Sequence, residues 1–313
     1  MSKKAVMLVN LGTPKTPIKK DVKAYLRIFL SDPRVIKTPD ILWQPILHML
    51  VLPERPQKSA KLYQSIWRKD GSPLLIYAKK QQAFLQERLP GIVVEIAMSY
   101  SHPRIFETLN QLLAQGIDNL TVIPLYPQYS GTTVGSIFDE VMRFFIKSDK
   151  IIDLHFVHSF CDHPAYISYY ADKIKKQLNK TPVDALLFSY HGIPLSYQED
   201  GDPYAKECLR TTETIMQKIG DIPFYQTFQS RFGSKEWLKP ATDVIMKNLP
   251  HRGVKKIMVV TPGFVADCLE TLVEIEIENK AYFMENGGKV FEYIRPFNDD
   301  EKFADLLADL VKR

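Results

Sequence analysis

"VMLVNLGTP" (residues 6–14) returns in altered form as "LLFSYHGIP" (186–194). Each is a short apolar run that ends in a turn of the form x-Gly-x-Pro. A run of this length bounded by Gly and Pro reads as a buried strand followed by a turn. The copies differ where the run meets the glycine: Leu11 in the first, His191 in the second. One chain therefore builds one element twice and places an imidazole in only one copy.

The pattern around each copy extends the repeat. The first half offers strands at 5–11, 93–100, 120–126 and 151–160, then a helix at 164–178. The second half offers strands at 185–191, 223–230, 255–262 and 289–297, then a helix at 300–313. Short apolar runs alternating with longer amphipathic stretches predict βαβ units and parallel sheets. The matching order predicts a duplicated α/β domain, with the first domain over 1–179 and the second over 180–313. The first copy carries a surplus at about 30–57. Its centre, "ILWQPILHMLVLP" (41–53), is strongly apolar but too short to span a bilayer. Leaving such side chains in water costs about 1.5–3 kcal/mol each. The stretch is read either as part of the core or as a lip that covers an apolar ligand or dips into a membrane interface.

Composition bounds the class. The chain has 313 residues, 45% hydrophobic and 25% charged, enough for two modest soluble domains. A formal charge of +5 suits acidic ligands or an anionic lipid surface without implying nucleic acid. The three cysteines, Cys161, Cys208 and Cys268, are scattered and lack C-x-x-C pairing. That argues against a disulfide framework and a four-cysteine metal site, and reduced cytoplasmic thiols are expected. The opening "MSKKAVMLVNLG" reads as a first strand, not a signal peptide.

In open parallel sheets, ligands bind beyond the carboxyl ends of the strands. The unusual residues collect there: Asn10, Leu11, Gly12 and Thr13 in the first half; Ser189, Tyr190 and His191, then "QSRFGSKEW" (229–237), in the second. The third strand of the second half runs into "TPGFVADCLETLVEIEIE" (261–278). There Glu270, Glu274 and Glu278 recur every four residues, as on one helical face. The plain alternative is a solvated acidic face. Against it, a straight helix puts Glu276 in the middle of the apolar stripe of Leu269, Leu272 and Val273. A π-type turn would change that phase, and π-bulges are frequent at functional sites. An imidazole facing a file of carboxylates forms a path for a divalent cation and for protons.

Together "SYHGIP", "FVADCLETLVE", "YPQYSGTTVGS", "LSDPRV", "GSP" (71–73) and "LVNLGTP" resemble the ferrochelatase family, and within it the short Gram-negative bacterial members. The resemblance runs from residue 5 to the last helix, with the motifs in family order. It implies two similar Rossmann-like domains, each a parallel sheet flanked by helices, facing across a porphyrin cleft. It implies an enzyme, a lyase inserting ferrous iron into protoporphyrin IX with release of two protons, the terminal step of haem biosynthesis. Cobalt or nickel chelation of another tetrapyrrole, coproporphyrin III as substrate, and a tetrapyrrole carrier without chemistry are the alternatives.

Residue by residue, the resemblance gives His191 and Glu270 as catalytic and metal-handling groups. It gives Glu274 and Glu278 as a proton or metal path. Leu11, Arg55, Tyr63, Ser72 and Tyr126 become porphyrin contacts, and 41–53 a lip touching the cytoplasmic face of the inner membrane. Three positions depart from common members: Ser99 stands where many carry arginine, Cys268 where animal enzymes carry a second histidine, and Gly131 where they carry a cluster-ligating cysteine. Fe²⁺ is thus expected as substrate, with no resident cofactor and no [2Fe–2S] cluster, and with handover of product to haem acceptors.

Overall fold

The computed structural model describes residues 2–233 and 235–312. Eight strands form two four-stranded sheets. The first contains β1 (Lys4–Asn10), β2 (Val93–Met98), β3 (Asn119–Pro124) and β4 (Asp153–Phe156), in the order β2-β1-β3-β4. The second contains β5 (Ala185–His191), β6 (Phe224–Gln229), β7 (Lys256–Val260) and β8 (Val290–Ile294), in the order β6-β5-β7-β8. All pairings are parallel. The two sheets share one topology, so the repeat read from the sequence is a repeat of structure. β4 is shorter than the apolar run 151–160 predicts.

β1 and β5 are inner strands, flanked on both edges, and this explains their composition. A parallel strand covered on both faces reads as a continuous apolar run. Ala5–Asn10 and Ala185–Tyr190 are buried throughout. On one face of the first sheet, Met7, Val9 and Val122 pack with Ile105, Leu109, Leu112, Ile137 and Val141 from the helices Ile105–Ala114 and Val134–Ile146. In the second sheet, Leu187, Ile257 and Val259 pack with Met246, Ile275 and Phe283. Each such side chain stabilises the fold by about 1.5–3 kcal/mol.

By contacts, residues 1–158 with 299–313 form one compact unit and 159–298 the other. The division falls at 158/159 instead of 179/180, because the last helix of each repeat belongs to the unit of the other repeat. Helix Pro164–Leu178 buries Tyr166, Ile167, Tyr170 and Ile174 and packs on helix Tyr204–Ile219 within the second unit. Helix Lys302–Lys312 buries Phe303, Leu306, Leu307 and Leu310, an i, i+3, i+4, i+7 stripe, and packs on helix Pro73–Arg88 within the first. Arg88 reinforces the second packing through Glu301 at 2.7 Å and Asp305 at 2.9 Å.

The surplus segment is helical. Helix Asp40–Ile46 runs into a π-turn at Leu47–Val51 and then helix Leu52–Ile66. Leu47 and Leu52 are buried against helix Lys19–Leu30, and the Trp43 indole N–H donates to the Leu30 carbonyl at 2.6 Å. The outer side chains are not in any core: Ile41 is 84% exposed, Leu42 60%, Met49 69% and Leu50 67%. Of the two sequence readings, the core accounts for Leu47 and Leu52 and for Trp43 and Val51, which pack against the same cluster. No helix among the described residues is long and apolar enough to cross a membrane.

Candidate active site

Each sheet has a switch point. From the inner strand the chain moves first to one neighbour and later to the other, so loops diverge at the carboxyl end and leave a crevice. In the second sheet the switch lies between β5 and β7. His191 is the last residue of β5. The segment after β7 leads into the helix that carries Glu270. The two strands that border the switch thus supply the imidazole and the carboxylates.

His191 is half-buried, and its Nδ1 lies 2.7 Å from the carbonyl oxygen of Gly192. A carbonyl can only accept, so in this contact Nδ1 carries the hydrogen, and in the neutral ring Nε2 then holds the lone pair. The imidazole is thereby arranged as a base or a metal ligand through Nε2. Gly192 is required by space: a Cβ there would lie 2.9 Å from the carbonyl oxygen of Gln229. Its counterpart Gly12 is required by both conformation and space, with φ +100° and a would-be Cβ 2.5 Å from Ser101 Oγ.

Glu270–Asn279 is a π-helix over its whole ten residues. The winding resolves the misfit at Glu276. Its carboxylate takes both oxygens to Arg295, at 2.6 and 2.7 Å, and Arg295 also reaches the buried Asp267 at 3.0 Å. Glu276 is therefore a structural ion-pair partner. Glu270 and Glu274 are half-buried and Glu278 is exposed. Partial burial and the neighbouring charge of Glu274 hold the Glu278 carboxyl above its ordinary range. Burial also pushes the Cys268 thiol well up, so this cysteine is a neutral, inert group beside Glu270.

Two residues absent from the sequence-based site join these parts. Gln229 is the last residue of β6 and pairs in register with His191. Its side-chain amide donates to the Glu270 carbonyl at 3.0 Å and to the Glu274 carboxylate at 3.1 Å. Its side-chain oxygen Oε1 accepts from Ser189 Oγ at 2.8 Å. Ser230 donates its backbone N–H to Glu274 Oε1 at 2.6 Å and its hydroxyl to Oε2. The segment "QS" lies at the ligand edge in the sequence, but nothing in its spacing ties it to Glu274. Among the described residues, no group of three or more His, Cys, Asp or Glu side chains stands ready to hold a metal ion. His191 and Glu270 do not form a closed metal centre.

The predicted porphyrin contacts all lie in the first unit. Leu11 follows β1 at the switch point of that sheet, and Tyr126 follows β3, the strand on the other side of the switch. Both are half-buried. Arg55 and Tyr63 sit two turns apart on helix Leu52–Ile66; the Tyr63 ring meets Tyr25 and Trp67 edge-on at 6.5 and 6.3 Å. Ser72 is buried at the N-terminus of helix Pro73–Arg88. Leu11, Tyr63 and Trp43 pack against one cluster with Tyr25, Leu47 and Tyr100. Base of lip and switch point are thus one apolar body.

The family model for ferrochelatase matches residues 3–313. A coproporphyrin III ferrochelatase of Enterococcus faecalis is 56% identical over 311 residues, covering 99% of both chains. A ferrochelatase of Hamiltonella defensa is 47% identical over 313 residues, 99% of this chain and 98% of its own. Among solved structures, the siroheme enzyme CbiX superposes with a TM-score of 0.56 at 13% identity, covering 99% of this chain and 98% of its own. The sirohydrochlorin chelatase SirB of Bacillus subtilis in complex with cobalt gives 0.56 at 14%, covering 98% and 93%. At these identities the structural likeness speaks for the fold alone.

Proposed function

The chain belongs to the ferrochelatase family, enzymes that insert iron into a porphyrin, and from that premise we propose how it does so and on which ring. The observation that carries the mechanism is the 2.7 Å contact of His191 Nδ1 with the Gly192 carbonyl, which in the neutral ring leaves Nε2 as the basic nitrogen. Nε2 accepts an inner N–H proton of the porphyrin. The ring releases two such protons, and four nitrogen lone pairs close on Fe²⁺. Glu270 stands at the head of the π-helix, with Glu274 and Glu278 leading outward to solvent, and this file carries protons away from the ring. A positioned general base contributes about 10²–10⁴ to such a transfer.

Leu11 and Tyr126 offer an apolar surface for the ring, while Arg55, Tyr63 and Ser72 bind its propionates by charge-assisted hydrogen bonds. The exposed residues of 41–53 serve as a lip for porphyrin entry that rests on an anionic membrane surface, and a peripheral position on the cytoplasmic face of the inner membrane is part of this proposal. Iron is substrate here, and no [2Fe–2S] cluster is needed; iron analysis of anaerobically purified protein checks that point. The product leaves to a haem acceptor.

For the ring, coproporphyrin III now stands ahead of protoporphyrin IX. The support is the 56% identity to a relative named for coproporphyrin III. The inner chemistry is the same for both, so the difference lies at the propionate edge. An anaerobic assay with Fe²⁺ or Zn²⁺, following the collapse of the free-base visible bands, decides it. A higher kcat/KM with coproporphyrin III supports the reading, and a higher value with protoporphyrin IX reverses it. Binding without metallation of either ring would make the protein a carrier.

A further inference from the structure

Ser230 is one of two non-glycine residues with positive φ among the described residues, at +66°. An L-residue held there is strained, and such positions persist where the surroundings over-determine them. At Ser230 the unusual backbone lets one residue present two donors at once. Its N–H reaches Glu274 Oε1 at 2.6 Å and its hydroxyl reaches Oε2. The preceding Gln229 adds a third donor to the same carboxylate at 3.1 Å and clamps the Glu270 carbonyl at 3.0 Å. Gln229 is itself fixed: it is buried, it pairs with His191 across the sheet, and its oxygen is tied through Ser189 to Thr242 and Thr227.

We infer that Gln229 and Ser230 are positioning residues for metal insertion: this corner locks the Glu274 carboxylate in place and sets the head of the π-helix against the end of β5. In this arrangement the Glu274 carboxylate is held by three donors. The inference rests on the proposed metallation. Supporting partners of metal-handling groups are commonly worth about 10–100-fold in activity.

The test uses the whole protein, Zn²⁺ or Fe²⁺ and porphyrin, with kcat, porphyrin KM and Tm measured for each variant. Ser230→Gly relieves the backbone and keeps the N–H but removes the hydroxyl. It is expected to raise Tm while lowering kcat about tenfold or more, with porphyrin KM unchanged. Ser230→Ala is expected to lower kcat similarly. The decisive measurement is the double-mutant cycle of Ser230→Ala with Glu274→Gln. If the serine acts through Glu274, the double variant is no slower than Glu274→Gln alone. Multiplicative losses, or a Ser230→Gly variant with full kcat, would overturn the inference. A wild-type protein that metallates neither ring would instead overturn the function beneath it.

Discussion

His191 and Gln229 are partners across β5 and β6, and the amide of Gln229 bonds the Glu270 carbonyl at 3.0 Å. One side chain thus connects the strand that ends in the imidazole to the helix that begins with the carboxylate. Loss of His191 should accordingly be a chemical defect, not a folding defect. His191→Ala is expected to bind porphyrin with near-normal affinity and to lose metallation by about a hundredfold or more. Fluorescence titration and the anaerobic assay measure the two separately. Near-normal turnover would remove His191 as base or ligand.

Gly192 has no room for a side chain on the β6 side. In Gly192→Ala the new methyl meets the Gln229 carbonyl oxygen at 2.9 Å, a backbone atom that cannot rotate away. The strand ends must part, at a cost of about 1–3 kcal/mol. Urea unfolding should show that loss, together with a fall in kcat that Tm alone does not explain.

The exposed lip carries little stability. Met49→Glu and Leu50→Glu alter side chains 69% and 67% exposed, so the unfolding free energy should stay within about 0.5 kcal/mol of wild type. Cosedimentation with anionic vesicles and porphyrin affinity should both fall. Unchanged values for both would count against the lip.

Glu278 gives the site a pH signature in stability. Its folded carboxyl titrates above the unfolded value, through partial burial and then the charge of Glu274. Native protein therefore holds this proton more readily than unfolded chain. The favourable contribution is full below the ordinary glutamate range, about 4.3, and is lost as pH rises through the raised folded value. Glu278→Gln should be more stable than wild type at neutral pH by a few tenths of a kcal/mol, since solvent screens an exposed pair. The difference should vanish in acid. Denaturation curves across that range check the sign.

Arg295 compensates Asp267, whose side chain is 1% exposed, and binds Glu276 on the π-helix. Arg295→Met leaves a buried carboxylate with Thr271 and Asn298 as its remaining side-chain donors among the described residues. A loss of about 3 kcal/mol is expected, the lower end for a broken buried pair because those donors remain. Adding Glu276→Gln should cost little more, and calorimetry of the pair of variants tests this coupling.

The local sequence by itself determined the strands, their parallel class and the repeat. Buried strands must be apolar and the turns after them need Gly and Pro, so a one-dimensional pattern reports them directly. It also marked the abnormal winding at 270–279, because Glu276 cannot sit in an apolar stripe on an ordinary helix. Motif and strand-end position singled out His191 and Glu270 as candidates. Tertiary structure alone decided the rest. Which sheet receives each repeat's last helix depends on complementary apolar faces distant in sequence. That Gln229 and Ser230 grip Glu274 depends on strand order, β6 beside β5 beside β7, and on one positive φ. Neither quantity leaves a periodic trace, since both arise from pairings that close only when the chain has folded.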